Sequence, residues 1–334
     1  MGRDADCVPV HHPRFTWLSH STVHVACIWP PTTSVVRAAR ATVPLAMLQR
    51  LVIQGRARLD TNLLAALGEH GVDVLLLGAR HGRRRGYLMG PGHNDVRRRL
   101  GQYRLWQDDN TRTDWSRQLI AAKVRAQRDL LDHAQQQRPD QRYAITQALE
   151  TLAPIERELP HATQTSALLG LEGAAAAAYF RAYTTLFAPA LNFTARRRRP
   201  PPDPVNACLS LGYTLLHNEA LQACHIAGLD PLIGFYHQPA YGRESLACDL
   251  IEPLRPRLDR WVWWLFRERV VRSEGFVYSE GGCRLNKATR QPYFASYEVA
   301  ARRWRRYLRL QAYRLATTIM TLAPNLPGSE EQAQ

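Results

Sequence analysis

Residues 90–107 read GPGHNDVRRRLGQYRLWQ, and the character of the chain changes across them. GPGHND is turn chemistry, and Asn94 or Asp95 is placed to cap a helix running through VRRRLGQYRLWQ. Upstream, STVHVACIW alternates, RLVIQG and GVDVLLLG are short aliphatic runs, and RRRGYLMG follows a turn, so strands are expected. Between them DTNLLAALGEHG reads as one short helix, with Asp60 or Thr61 as its N-cap and Gly71 as its stop. Downstream the periodicity is mostly helical. The expected fold is α+β: a β-rich, sandwich-like domain with a short helix over residues 1–93, an all-α domain over 94–325, and a polar tail over 326–334.

Three downstream segments carry the helical reading furthest. A helix is expected from Thr113–Asp114 to about Gln136, and another after Thr165 or Ser166 through ALLGLEGAAAAAYFRAYTTLF, which alanine favours. In DPVNACLSLGYTLLHNEALQACHIAG, Asp203 caps, Pro204 takes the first helical position and Gly228 ends the run.

The 334 residues carry 44 basic against 29 acidic side chains, a formal net charge of +15. A polyanion is therefore the leading partner, because Lys and Arg that neutralise phosphates release counterions. Only Lys123 and Lys287 are lysines, a bias that a GC-rich genome can produce without producing the excess of base over acid. The six cysteines form no C-x-x-C pair, which argues against zinc-ribbon and thioredoxin chemistry and for buried thiols in a reducing compartment. No apolar run is long enough for a membrane span, and the start, MGRDADCVPV, has no apolar core of a signal peptide, so a cytoplasmic location is expected. GPGHND lacks the lysine and hydroxyl of a phosphate loop, and GRESL lacks the second glycine of a nucleophile elbow.

Acids and a histidine stand among apolar residues in two distant places. Glu172, inside LLGLEGAAAAAYF, shares a helix face with Ala175, Ala176, Tyr179 and Tyr183. In GFYHQPAYGRESLACDLIEPLRP, His237 is followed by Asp249 and Glu252, the two acids at helical i, i+3 spacing. Like charges that close repel unless something positive meets them. Arg255 can do that, and so can a metal ion; the local residues leave both open. Pro253 restarts or kinks the helix and so aims Glu252. Two or three carboxylates with one imidazole suit Mg²⁺ or Mn²⁺.

In order and spacing, LLGLEGAAAAAYF, RRRRPPPDPVNACLSLGYTLL and GLDPLIGFYHQPAYGRESLACDLIEPLRP resemble the CRISPR-associated adaptation integrase, the spacer-inserting first member of the CRISPR-associated proteins. The similarity spans about residues 94–310 and extends through EGGCRLNKATRQPYFASYE, whereas residues 1–35 fit no pattern. The resemblance implies an N-terminal β-rich domain that forms a homodimer and a helical catalytic domain. It also implies a divalent cation held by Glu172, His237 and Glu252, with Asp249 a supporting acid of the same cluster. The implied reaction is attack of a DNA fragment's 3′-hydroxyl on a phosphodiester at the edge of a repeat. The implied assembly on double-stranded DNA is two integrase dimers bridged by a dimer of the small second CRISPR-associated protein.

Arginines supply candidate phosphate holders. Arg243 and Arg255 flank the acids, Arg196 and Arg197 begin a basic run before Pro200–Pro202, and Arg302 and Arg305 belong to a basic helix around Trp304 and Leu308. Arg83–Arg85 and Arg97–Arg99 lie near the domain boundary, and Trp261, Trp263 and Trp264 read as packing residues. Two other functions compete with integration: a nuclease on branched DNA using the same site, and a catalytically silent DNA-binding scaffold whose acids merely make ion pairs.

Overall fold

The computed structural model describes residues 22–24, 42–45, 48, 50–54, 59–78, 84–90 and 92–323. Cys7, Cys27, Arg83 and the tail 326–334 lie outside them. The first strands are β1 (Thr22–His24), β2 (Thr42–Pro44), β3 (Arg50–Gln54), β4 (Asp73–Leu77) and β5 (Arg84–Leu88). β1 and β2 pair antiparallel; β4 lies between β3, parallel to it, and β5, antiparallel. Parallel pairing needs a crossover, and α1 (Thr61–Glu69) supplies it. Asp60 caps α1 by accepting from the Asn62 amide at 2.8 Å, and Gly71 turns the chain at φ +65°.

The mostly helical part begins after residue 96. Its first helices are α2 (Arg97–Gln107), α3 (Asp109–Gln137), α4 (Arg142–Glu158), α5 (Thr165–Thr184), α6 (Pro204–Ala227), α7 (Ser245–Ile251) and α8 (Arg255–Arg267). α3 starts four residues before the expected Thr113, because Asp108 caps it at the Thr111 amide (2.9 Å). The expectation of an all-α second half is corrected by a hairpin, β6 (Phe276–Ser279) with β7 (Gly282–Leu285), which precedes the long last helix α9 (Lys287–Leu322). A two-stranded ribbon is marginal alone. This one is tied down where Cys283 N–H donates to the Pro201 carbonyl (2.8 Å) and where Phe276 stacks on Phe266.

α6 is the axis of the helical part. Asp203 accepts from the Asn206 amide, Pro204 takes N1, and Gly228 closes the helix at φ +73°. It packs against α7, α8, α9 and β7, so most of its side chains are buried. α3 runs along α4, α5, α8 and the turn Glu252–Leu254. The site is built where these two helix groups meet.

An ionic clamp ties the β-sheet to this frame. Arg50 on β3 donates both guanidinium nitrogens to Glu219 on α6 and one also to Gln222 (3.1 Å). Arg305 on α9 donates Nε to the same carboxylate at 3.0 Å. Glu219 is fully enclosed, and although burial opposes its ionisation, Arg50 and Arg305 hold its pKa below the ordinary value. The connection from sheet to helices is pinned where His225 Nε2 meets the Gly90 carbonyl at 2.7 Å. Among the described residues no helix is long and apolar enough to cross a membrane.

Candidate metal centre

α7 ends at Ile251, and Pro253 forces a single 3₁₀ turn, Glu252–Leu254, before α8 begins at Arg255. The two acids reach the His237 ring from its two nitrogens, Asp249 at Nδ1 (2.7 Å) and Glu252 toward Nε2 (3.9 Å). Each has its own surroundings.

Asp249 is 4% exposed and saturated with donors. Its Oδ2 accepts from the amides of Phe235 (2.7 Å) and Tyr236 (3.0 Å), and its Oδ1 from the amide of His237 (2.9 Å) and from His237 Nδ1 (2.7 Å). Gly234 permits this convergence: a Cβ there would stand 2.6 Å from the Ser245 carbonyl carbon and 2.8 Å from Asp249 Oδ2. Asp249 thus orients rather than offers a free oxygen. With Nδ1 held by that carboxylate, the His237 ring presents Nε2 on its other side, 3.9 Å from Glu252 Oε1.

Glu252 is 3% exposed. Its Oε1 accepts from Arg255 Nε at 2.7 Å. Its Oε2 is buried with no donor in hydrogen-bond alignment, and the Lys123 ammonium stands 2.5 Å away. Burial works against the charge, but Arg255, Lys123 and His237 outweigh it and hold the Glu252 pKa down at about 2. Glu172, brought in by α5 with Ala175, Tyr179 and Tyr183 buried on the same face, places Oε1 2.5 Å from the same Lys123 Nζ. Glu172, His237 and Glu252, far apart in sequence, are therefore gathered at one place, with Asp249 behind the imidazole.

Two participants were not anticipated. Lys123 on α3 lies between the two carboxylates; its signal was its rarity, one of two lysines among 44 basic residues. Tyr236 is 5% exposed and its hydroxyl is buried without a partner among the described residues. Burial, then Glu172, Glu252 and Asp249, push its pKa up, so it remains an O–H donor beside the acids. Nothing in GFYHQ distinguishes that tyrosine from a core aromatic.

The arginines divide. Arg255 is committed to Glu252 and to the face of Tyr213, whose ring it overlies at 4.9 Å. Arg196 overlies the same ring at 5.4 Å and donates to Asn206 and Ser210, while the Arg197 side chain is exposed. Arg243 donates to the Gln238 carbonyl and to Ser245 Oγ, and Glu244 pairs with His217 at 3.1 Å. Arg302 is exposed on α9, whereas Arg305 is spent on Glu219 and Glu298. Arg97, Arg98 and Arg99 are likewise spent on Asp95 and on the carbonyls of Ala227 and His93. Trp261 and Trp263 are buried and Trp264 is half exposed.

The donor set fits a hard divalent cation: carboxylates from two elements, one with an unaligned buried oxygen, and an imidazole whose other nitrogen a carboxylate holds. Among the described residues no three acids, histidines or cysteines yet converge as ligands do, and Lys123 occupies the space between Glu172 and Glu252. An acid–imidazole cluster in a helical frame, bordered by guanidiniums, is the class of site that metal-assisted phosphodiester chemistry uses.

Residues 32–299 match the family profile of the CRISPR associated protein Cas1. A "CRISPR-associated endonuclease Cas1 1" of Thermodesulfovibrio yellowstonii is 39% identical over 260 residues, 77% of this chain and 81% of the relative. The chain belongs to the Cas1 family. Its fold is similar to a "Casposase bound to integration product" (TM-score 0.78, 22% identity, 92% of this chain and 89% of that one). It is similar as well to part of a "Cas6-RT-Cas1--Cas2 complex" (TM-score 0.73, 24% identity, 84% of this chain and 32% of that one).

Proposed function

We propose that this chain is the DNA-joining endonuclease of CRISPR adaptation, acting with Mg²⁺ or Mn²⁺ held by Glu172, His237 and Glu252. The single observation that carries the reading is the meeting of Glu172 and Glu252, acids from two distant elements, at one point beside a histidine that Asp249 orients. The reaction is transesterification. A fragment's 3′-oxygen forms a new bond to phosphorus at the repeat edge, the bond from phosphorus to the departing 3′-oxygen breaks, and the attacking hydroxyl's proton passes to the departing oxygen or to water. When bound, the cation polarises the phosphoryl oxygen and acidifies the attacking hydroxyl. Asp249 keeps the His237 ring in one tautomer and orientation. Arg255 stays on Glu252 and helps hold it ionised, and Arg243, pinned by Gln238 and Ser245, offers its remaining donors to a phosphate.

The relatives' names support the substrate: one is an endonuclease, one fold neighbour is bound to an integration product, and another is in complex with Cas2. From these we propose double-stranded DNA and a small Cas2-type companion as partners. We also propose that residues 1–93 form a dimerising domain and 94–325 a catalytic one. A second reading, a silent DNA-binding scaffold, is favoured by the fact that both carboxylates already have cationic neighbours.

One assay decides. Protein, companion, fragment DNA and a repeat-bearing plasmid are incubated with Mn²⁺ or Mg²⁺ or with EDTA. Joined product is expected only with the cation, and neither Glu172→Ala nor His237→Ala should form it. Joining by either variant at the wild-type rate refutes the ligand assignment; DNA binding without joining under all conditions establishes the scaffold.

A further inference from the structure

We infer that Lys123 is the site's own counter-ion: its ammonium holds Glu172 and Glu252 together in the cation-free protein, and a divalent cation must displace it to bind. This rests on the metal-site reading above and deepens it. Lys123 Nζ lies 2.5 Å from Glu172 Oε1 and 2.5 Å from Glu252 Oε2. These oxygens belong to the two carboxylates assigned to the cation, and Oε2 is the one that Arg255 leaves unused. Two carboxylates that close, drawn from α5 and from the turn after α7, repel each other unless a positive charge lies between them. A monovalent ammonium relieves that repulsion only in part, and a divalent ion does so better.

The identity of the side chain supports exchange. Nearly every other basic residue of this chain is arginine, and two of the buried acids, Glu219 and Glu252, are met by arginine. An arginine fork grips a carboxylate bidentately, whereas an ammonium is a compact charge on a flexible stem and can leave without unmaking a fixed geometry. There is also an acceptor for it to move to. Gln127, one turn along α3 and 2% exposed, has its Oε1 buried without a hydrogen-bond partner among the described residues. Side chains at i and i+4 on a helix stand about 5–6 Å apart at Cβ, within the swing of a lysine. Lys123 thus has two stations, the carboxylate pair and Gln127, and the cation decides between them.

The test needs no DNA. Mn²⁺ is titrated into the full chain, with free Mn²⁺ read by its electron paramagnetic resonance signal, and the metal-free melting temperature is measured alongside. Lys123→Met is expected to bind Mn²⁺ roughly tenfold more tightly, because the cation no longer competes with a tethered one. The same variant should melt lower than wild type without metal and regain the difference when Mn²⁺ is added. Lys123→Arg, whose fork is harder to dislodge, should bind more weakly than wild type. Mn²⁺ affinity in Lys123→Met equal to or below wild type, with Glu172→Gln and Glu252→Gln losing the ion, overturns the counter-ion role and leaves the metal site standing. If those two glutamine variants bind Mn²⁺ as wild type does, the metal site itself fails and takes this inference with it. Should Lys123→Met not fold, Lys123→Arg decides, and an affinity at or above wild type overturns the role.

Discussion

Glu219 and Glu252 are both buried carboxylates, each is met by basic side chains, and each has its pKa held below the ordinary value by them. They differ in completion. Glu219 receives two nitrogens from Arg50 and one from Arg305, and its carboxylate is wholly enclosed. Glu252 has one oxygen on Arg255 and the other on a mobile type of cation, beside an oriented imidazole and an unpaired tyrosine hydroxyl. A buried acid whose oxygens are all spoken for by fixed donors joins elements. One left partly unmet, among other unmet groups, is prepared for something that arrives later.

Substitution at each acid tests that contrast. Glu252→Gln is expected to reduce joining by about a thousandfold, some 4 kcal/mol of barrier, while the protein stays folded, as read by product formation and circular dichroism. Glu219→Gln should do the reverse: it strands Arg50 and Arg305 and costs about 3–5 kcal/mol in denaturant unfolding, with chemistry retained in the folded fraction. Equal effects of the two changes on joining would dissolve the distinction.

Asp249→Asn probes the layer behind the site. It removes a carboxylate that holds His237 and should weaken Mn²⁺ binding about 10- to 100-fold in the same titration. The smallest effect concerns Asp259, another buried acid, which is met by the hydroxyls of Tyr179 and Tyr213. Burial, against the lowering effect of those hydroxyls, pushes its pKa from 3.8 to about 6. A carboxyl raised in the folded state stabilises the fold when protonated, so its contribution is full below pH ~4 and fades by pH ~6. Asp259→Asn should flatten the fall of stability with rising pH in that window by on the order of 1–3 kcal/mol. Asp73, also raised to about 6 chiefly by burial, leaves a residual slope.

Much of this was readable from local chemistry. The cap, proline and glycine around α6 mark both its ends, and Pro253 announces the break that aims Glu252, because each acts within a few residues. What escaped depends on tertiary neighbours. The i, i+3 spacing of Asp249 and Glu252 does bring both to His237, but it could not show that the backbone amides of residues 235–237 occupy Asp249. The β6–β7 hairpin is held by Pro201, more than 70 residues before it, and by Phe266 at the end of α8. Arg305 looked like one more cation on a basic helix, since nothing in α9 reveals Glu219 beneath it.

Gly234 carries a consequence for mutational screens. The site's acids, imidazole and ammonium can all be left untouched and the chemistry still lost by adding one methyl group there. It would meet the Ser245 carbonyl carbon at 2.6 Å and Asp249 Oδ2 at 2.8 Å, so the loop that seats Asp249 against His237 must shift. A scan confined to charged or polar positions would pass over a residue of this site whose importance lies in having no side chain.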